Sequence, residues 1–374
     1  MPEVTRIPTE IWHKIIVDAC IDGGFTGRSL ALASKFFHSQ SLSARFHSLA
    51  LDSLPKIEGF LLFLRVQPED CKPKVQHLYL ALFYEPATTS SSHGLQRGQV
   101  TQAERMAELE RRRKEYDCWQ QRLYAATQSL LAFAAPTVRT LCVVERSATP
   151  IQVSSFPRDM PRLEELTWMG EALPLSPYDR EAAAQPPIAL PALKRVHLMS
   201  PNSAIHIFGL CGIGPSSLSH LRISVVGRST LDRYLPRNLA AALEIPKECF
   251  QRELADEDDI KGTLPHLRHV LVHAIPSEPG SLRGSRGRFA SDICADLRSL
   301  GRACEERIDG ARILVLEGNR PKNLHQWLRE DWVDRMQGGQ GCWVEFQQDE
   351  AARANKDVPE SEEHAHVGSS DNGL

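Results

Sequence analysis

Leu163-Glu164-Glu165-Leu166-Thr167-Trp168, Leu193-Lys194-Arg195-Val196-His197-Leu198 and Leu218-Ser219-His220-Leu221-Arg222-Ile223 share one pattern: apolar, two open positions, apolar, one open position, apolar. Upstream, it recurs in Phe46-Leu49-Leu51, Val75-Leu78-Leu80 and Val138-Leu141-Val143. Downstream, it recurs in Leu267-Val270-Val272 and, more loosely, in Ala311-Leu314-Leu316. The last two apolar residues of each triplet alternate with period two, as a short half-buried strand requires. Successive starts are 29, 63, 25, 30, 25, 49 and 44 residues apart. One such triplet arises by chance in any α/β chain, whereas eight spread over most of the length describe a repeat. Four of the seven intervals lie close to the 20–29 residues of short strand-and-helix repeats, and the longer ones leave room for insertions.

Proline-containing lead-ins (MPRLEELTW, LPALKRVHL, LPHLRHVLV) start several strands cleanly, because proline cannot prolong a preceding helix. Between strands, Tyr116, Trp119, Leu123, Ala126, Leu130 and Phe133 form one apolar helical stripe. Phe289, Ile293, Leu297, Leu300, Cys304 and Ile308 form another. Such helices would cover the back of the sheet, since one repeat cannot bury its own apolar face. The pattern resembles the irregular leucine-rich repeats behind fungal F-boxes, although the asparagine of a regular repeat is missing after most strands. The expected fold class is therefore α/β: an irregular leucine-rich-repeat solenoid of parallel strands with helices on the back, over residues 47–348. Polar insertions are expected near 86–100 and 276–288. The segment 349–374, with seven acids against two basic residues, is expected to be a disordered acidic tail.

Residues 1–46 read as a small helical module. Pro8 suits the first turn of a helix on whose broad face Ile11, Trp12, Ile15, Ile16 and Ala19 fall. Asp22-Gly23-Gly24 ends that helix, a second apolar cluster (Leu30, Leu32, Ala33, Phe36, Phe37) follows, and a third short helix is expected from Ser41. The Ile7-Pro8-x-Glu10-Ile11 opening, the Ile15-Ile16 pair and the Leu-Ala-Leu-Ala-Ser-Lys-Phe-Phe stretch resemble the F-box, in a protein of fungal, basidiomycete type. Many F-boxes close on a tryptophan; this chain has Phe36-Phe37 or Phe46 instead. The resemblance implies a Skp-type adaptor as partner and, through it, a cullin–RING ubiquitin ligase. Ile7, Pro8, Ile11, Trp12, Ile15, Leu30, Leu32 and Phe36 would be the adaptor contacts. The same residues would equally serve to cap the open end of a repeat array.

Positions between the buried strand residues should point onto the opposite, concave face. They include His77, Tyr79, Arg195, His197, His220, Arg222 and His269, four of the chain's fourteen histidines beside two arginines. Such a surface suits an acidic or phosphorylated protein client, because guanidinium forks match phosphate oxygens; ordinary solvated strand positions would read the same way. The histidines lie on different strands without a carboxylate shell, so no metal is expected. Asn319 and Pro321 should start a helix carrying Leu324, Trp327, Leu328, Trp332 and Met336, stopped by Gly338-Gly339. Cys342, Trp343, Val344 and Phe346 read as a short strand, and the three tryptophans as a seal on the last repeat.

Composition removes other classes. A net charge of −3 provides no field for nucleic acid. The basic run Arg111–Lys114 is surrounded by acids, as on a solvated helix face, so nucleic acid is not the expected partner; the arginines at 283, 286 and 288, in an acid-free glycine-serine loop, leave RNA contact as a third, trailing reading. Nine cysteines have no CxxC and no zinc spacing, which suits small core residues in a reduced cytoplasmic or nuclear setting. The opening MPEVTRIPTEIW has no signal-peptide pattern, and no apolar run reaches the ~20 residues of a membrane span. Gly209–Gly214 lacks both the P-loop ending and the GxGxxG order, and no GxSxG or HExxH motif is present. The expectation is no catalytic residue, no cofactor and no membrane: a substrate-recognition subunit of a Skp–cullin–F-box ligase, or alternatively a repeat scaffold without a ligase role.

Overall fold

Each of the eight apolar triplets lies at a strand: β1 (Ser48–Leu51), β2 (His77–Leu82), β3 (Thr140–Glu145), β4 (Glu165–Met169), β5 (Arg195–Met199), β6 (His220–Val226), β7 (His269–Ala274) and β8 (Arg312–Glu317). The computed structural model describes residues 7–83, 101–145, 156–157, 159–170, 188–199, 203–226, 230–246, 263–274, 285–307, 310–318 and 323–356. The strands form one open parallel sheet in the order β1-β2-β3-β4-β5-β6-β7-β8, each paired with its sequence neighbour. Ten α-helices accompany them among the described residues: α1 (Thr9–Ala19), α2 (Phe25–Ala33), α3 (Lys35–Ser41), α4 (Leu54–Val66), α5 (Gln102–Ala134), α6 (Ser203–Ile213), α7 (Leu235–Ala242), α8 (Ser285–Glu305), α9 (Leu324–Met336) and α10 (Val344–Lys356).

The pairing register turns the sequence pattern into continuous rows. Leu49, Leu78, Leu141, Leu166, Val196, Leu221 and Val270 stand in line across β1–β7, and Leu51, Leu80, Val143, Trp168, Leu198, Ile223 and Val272 form the next row on the same face. Both rows are buried in one cluster with Leu54, Ile57, Phe60 and Leu64 of α4, Leu123 and Leu130 of α5, Leu210 of α6, Leu239 of α7 and Leu297 of α8. An order that never reverses, with crossovers of one hand, places all connections on the same side of the sheet. We call that side the back. Leu166, fully buried in the fourth strand, tests its packing: Leu166→Ala should cost about 3 kcal/mol by denaturant melting. A loss below about 1 kcal/mol would mean that the row is not the core.

The eighth repeat departs from the expected phase. His269 pairs with Arg312 and Val270 with Ile313, so Ile313 and Val315 occupy the core rows while Leu314 and Leu316 face the other way. The position two residues before β8 is Gly310, where a Cβ would collide with the Cys304 carbonyl at the end of α8, so the apolar lead-in side chain of the other strands has no counterpart. Because Ile313, Leu314, Val315 and Leu316 are all apolar, the sequence pattern alone does not define which pair turns inward.

Other expectations are also corrected. The third helix of the N-terminal module runs over Lys35–Ser41, not onward from Ser41, because Ser34 caps it by accepting from Phe37 N–H at 3.2 Å. Cys342–Phe346 is not a strand: Gly341–Trp343 is a 3-10 turn and Val344 begins α10. That helix carries Asp349–Lys356, assigned above to a disordered tail. Ser285–Arg288 of the second expected insertion begin α8. The insertion at 86–100, residues 276–284 and the tail beyond 356 lie outside the described residues. Six of the eight described cysteines are buried, as expected of small core residues.

Candidate protein-binding surfaces

The N-terminal module is held by few residues. Ile16, Cys20 and Ala44 are its buried centre, with Val17, Leu30 and Phe37 packed around them. Asp22 accepts from Thr26 N–H at 2.9 Å and from Thr26 Oγ1–H at 2.6 Å, fixing the start of α2. The glycine pair before α2 docks the module on the sheet. Gly23 (φ 78°) and Gly24 (φ 96°) take left-handed conformations that favour glycine. Gly23 N–H donates to Ser48 Oγ at 3.0 Å, and its carbonyl accepts from Ala50 N–H at 3.2 Å. The turn thereby occupies part of the open edge of β1, which would otherwise present unpaired backbone groups.

This small core leaves much apolar surface uncovered. Ile7 is 40% exposed just before α1, and Ile11 (45%) and Ile15 (47%), four residues apart, lie in one stripe along the helix. Pro8 is exposed beside them. Trp12 is half-buried, its ring centroid 6.1 Å from that of Phe36 and 5.3 Å from that of Phe37, which ties α1 to α3. Phe36 (39%) and Leu32 (78%) are exposed, whereas Leu30 turns into the module's own core. Phe25, 77% exposed at the start of α2, was not anticipated. Its one signal in sequence is an aromatic residue placed directly after a glycine pair.

The second surface differs from its expectation in one respect. The outward positions do share one face: His77, Thr140, Glu165, Arg195, His220 and His269 make one row and Tyr79, Cys142, Thr167, His197 and Arg222 the next. That front face is not open. The helix α9 lies over it, burying Leu324, Leu328 and Trp332 with Tyr79, Ala81, Cys142, Val144 and Met199. The 3-10 turn and α10 follow, burying Cys342, Trp343 and Phe346 against Leu271. Tyr79, His197 and Arg222 are almost fully buried, and His77, Arg195, His220 and His269 partly so. The three tryptophans therefore lie over the sheet's front, Trp327 and Trp332 on earlier strands and Trp343 in a cluster with Leu314 and Leu316 of the last one.

Polar contacts fasten this cover. The Arg222 guanidinium, 1% exposed, donates to Glu345 Oε2 at 2.8 Å and to the Cys342 carbonyl, with the Trp327 ring centroid 5.7 Å from its Cζ. Glu165 accepts from Trp343 Nε1–H at 3.1 Å, from Arg335 Nε–H at 3.2 Å and from Arg195 at 3.5 Å. Tyr79 O–H donates to the His325 carbonyl at 3.0 Å. His220 and His269 stack at 4.5 Å beneath Phe346. Among the described residues no group of three or more His, Cys, Asp or Glu side chains is placed to hold a metal ion.

Burial controls the charge of the histidines. It pushes His77 down to about 3, assisted by His47 and Arg139 and opposed by Glu164. Burial brings His206 to about 4. His220 also falls to about 4, through burial first and then His269, Arg195 and Arg335. His197 is driven well below its ordinary value by burial, then by Arg222 and His273. Below pH ~6.5 the unfolded chain binds protons that these folded-state rings refuse, so their stability contribution is complete above that pH and disappears as it falls toward 3–4. Asp331, raised to about 6 by burial, has the opposite sign and adds stability between about 6 and 3.8. One carboxyl does not offset four imidazoles. The thermal midpoint should therefore drop continuously from pH 6.5 to 4.5, and a flat or rising midpoint would contradict the burial of these rings.

No protein-family model matches this chain, and neither a curated protein nor a solved structure matches it.

Proposed function

We propose that this protein is the substrate-recognition subunit of a Skp–cullin–F-box ubiquitin ligase, in which α1–α3 form the F-box-like adaptor-binding module and the sheet domain is an irregular leucine-rich-repeat solenoid. The observation that carries the reading is the apolar surface left on that module. Isolated exposed apolar side chains are ordinary, but Ile7, Ile11, Ile15, Phe25, Leu32 and Phe36, all on forty residues, mark a docking surface. The alternative role of capping the repeat array is served by a different part of the module, the Gly23–Gly24 turn on β1, which leaves these side chains unused. A sheet ordered strictly along the sequence also suits a repeat array, which extends one unit at a time.

In this role the subunit performs no covalent chemistry and needs no cofactor. It holds a client lysine near the ligase's charged carrier, and catalysis is by proximity. The client reaches the sheet domain, where Arg195, with 34% of its side chain exposed, is the accessible arginine of the expected surface. Among the described residues no helix is long and apolar enough to cross a membrane. Co-expression of the full chain with a Skp-type adaptor tests the proposal. A stable one-to-one complex on size exclusion supports it; two separate peaks at micromolar concentration contradict it.

A further inference from the structure

We propose that the front face of the sheet is a docking groove for an acidic, aromatic helical segment of a protein partner, and that residues 324–349 of this chain are its built-in, exchangeable occupant. The topology separates this segment from the repeat. All eight strands and the back helices α4–α8 are complete before it begins, and it returns from the last strand to lie across β2–β8. Nothing in the strand order requires it.

The interface differs in kind from the back of the sheet. The back is one continuous apolar cluster from Leu49 to Cys304, whereas the front contains two separate small clusters joined by charged groups. A buried cation and a buried carboxylate of the sheet, Arg222 and Glu165, each take partners from the segment. Such pairs contribute less to stability than apolar packing of equal volume but are costly to break by halves, so they suit selection of one occupant over another. His197 Nδ1, Asp331 Oδ2 and Trp332 Nε1 are buried here without a hydrogen-bond partner among the described residues. A small crevice of about 20 Å³, bordered by His197, Asp331 and Trp332, lies between sheet and α9.

The occupant specifies what fits. In Trp343-Val344-Glu345-Phe346 the carboxylate reaches Arg222, the indole N–H reaches Glu165, and both aromatic rings rest on the stacked His220–His269 pair. A partner segment with an aromatic residue in a tight turn, followed at the start of a helix by an acid and a second aromatic residue, would reproduce these contacts. Tethering gives the resident segment an effective concentration in the millimolar range, so a free competitor gains entry only when the cis contact is weakened. These contacts do not depend on adaptor binding, and the inference stands apart from the ligase reading.

The test uses the full chain, wild type and Glu345→Lys, with a fluorescent peptide of residues 323–350 as probe. The peptide should bind the variant at least tenfold more tightly than the wild type, and the same peptide carrying Glu345→Lys should lose that gain. In native hydrogen exchange of the wild type, amides of 324–349 should exchange at least tenfold faster than those of β2–β7. Equal peptide binding to both proteins would overturn the proposal. If Glu345→Lys does not fold, the wild-type exchange decides: 324–349 exchanging in step with the strands makes the segment permanent core and overturns it.

Discussion

Arg222→Glu is expected to release α9 and α10 from the sheet at a cost of about 4 kcal/mol or more, while the back-face core stays folded. The wild-type guanidinium is enclosed, and its charge is met by Glu345 and the Cys342 carbonyl. Removing one partner of a buried pair typically costs 3–5 kcal/mol, because the remaining group keeps its desolvation penalty without its compensation. Reversal adds repulsion: the new carboxylate would face Glu345 and lie near Asp331, whose pKa burial already raises to about 6. The row residues on the back touch neither group and retain their packing. Three of the chain's six tryptophans, Trp327, Trp332 and Trp343, lie in the released segment. Their emission should shift to the red while the far-ultraviolet dichroism of the sheet and back helices persists. Arg222→Met, which leaves the half-exposed Glu345 to water, should be markedly milder. An unshifted emission spectrum for Arg222→Glu would contradict the enclosed geometry. Arg222 is therefore no probe of the proposed client binding; Arg195, with 34% of its side chain exposed and 3.5 Å from Glu165, is the more accessible arginine of that face.

The back of the sheet was readable in sequence because its requirement is periodic. Each strand needs apolar residues at two alternate positions and a third in the lead-in, and Leu123, Ala126 and Leu130 of the α5 stripe and Ile293, Leu297, Leu300 and Cys304 of the α8 stripe are buried against that face. The phase of β8 was not readable, because a strand apolar at every position carries no preference between faces. The same ambiguity held the clue to the front. Tyr79, Ala81, Cys142, Val144, Met199 and Leu271 are outward positions with apolar or aromatic side chains, and a strand apolar on both faces is a strand covered on both faces. The histidines and arginines among them, read singly, resemble a solvated surface. Only the return of the chain after β8 shows that Arg222 and Glu165 are paired with Glu345 and Trp343, residues more than a hundred positions away. In the N-terminal module the first helix was legible from its proline start and apolar stripe, whereas the break at Ser34 that separates α2 from α3 was not. The division between core and surface was partly legible: Ile16 and Leu30 turn inward where their neighbours Ile15 and Leu32 do not.

The proposed adaptor surface predicts the second large effect. Ile11 and Ile15 contribute little to the module's own core, so Ile11→Asp with Ile15→Asp should leave the thermal midpoint of the chain nearly unchanged. At a docked interface the same two side chains would be central apolar anchors, each worth about 2 kcal/mol or more, and placing charges there desolvates them unpaired. Together the substitutions should weaken adaptor binding about 1,000-fold. Ile16→Ala would be ambiguous, because Ile16 is 1% exposed at the module's centre and its loss would disturb fold and binding alike.

The most direct measurement is the affinity of a purified Skp-type adaptor for the full chain, wild type against Ile11→Asp/Ile15→Asp, with both melting curves recorded. The account predicts submicromolar binding by the wild type and none detectable at micromolar concentration by the equally stable double variant. Equal binding by the two proteins, or no binding by the wild type, would contradict it.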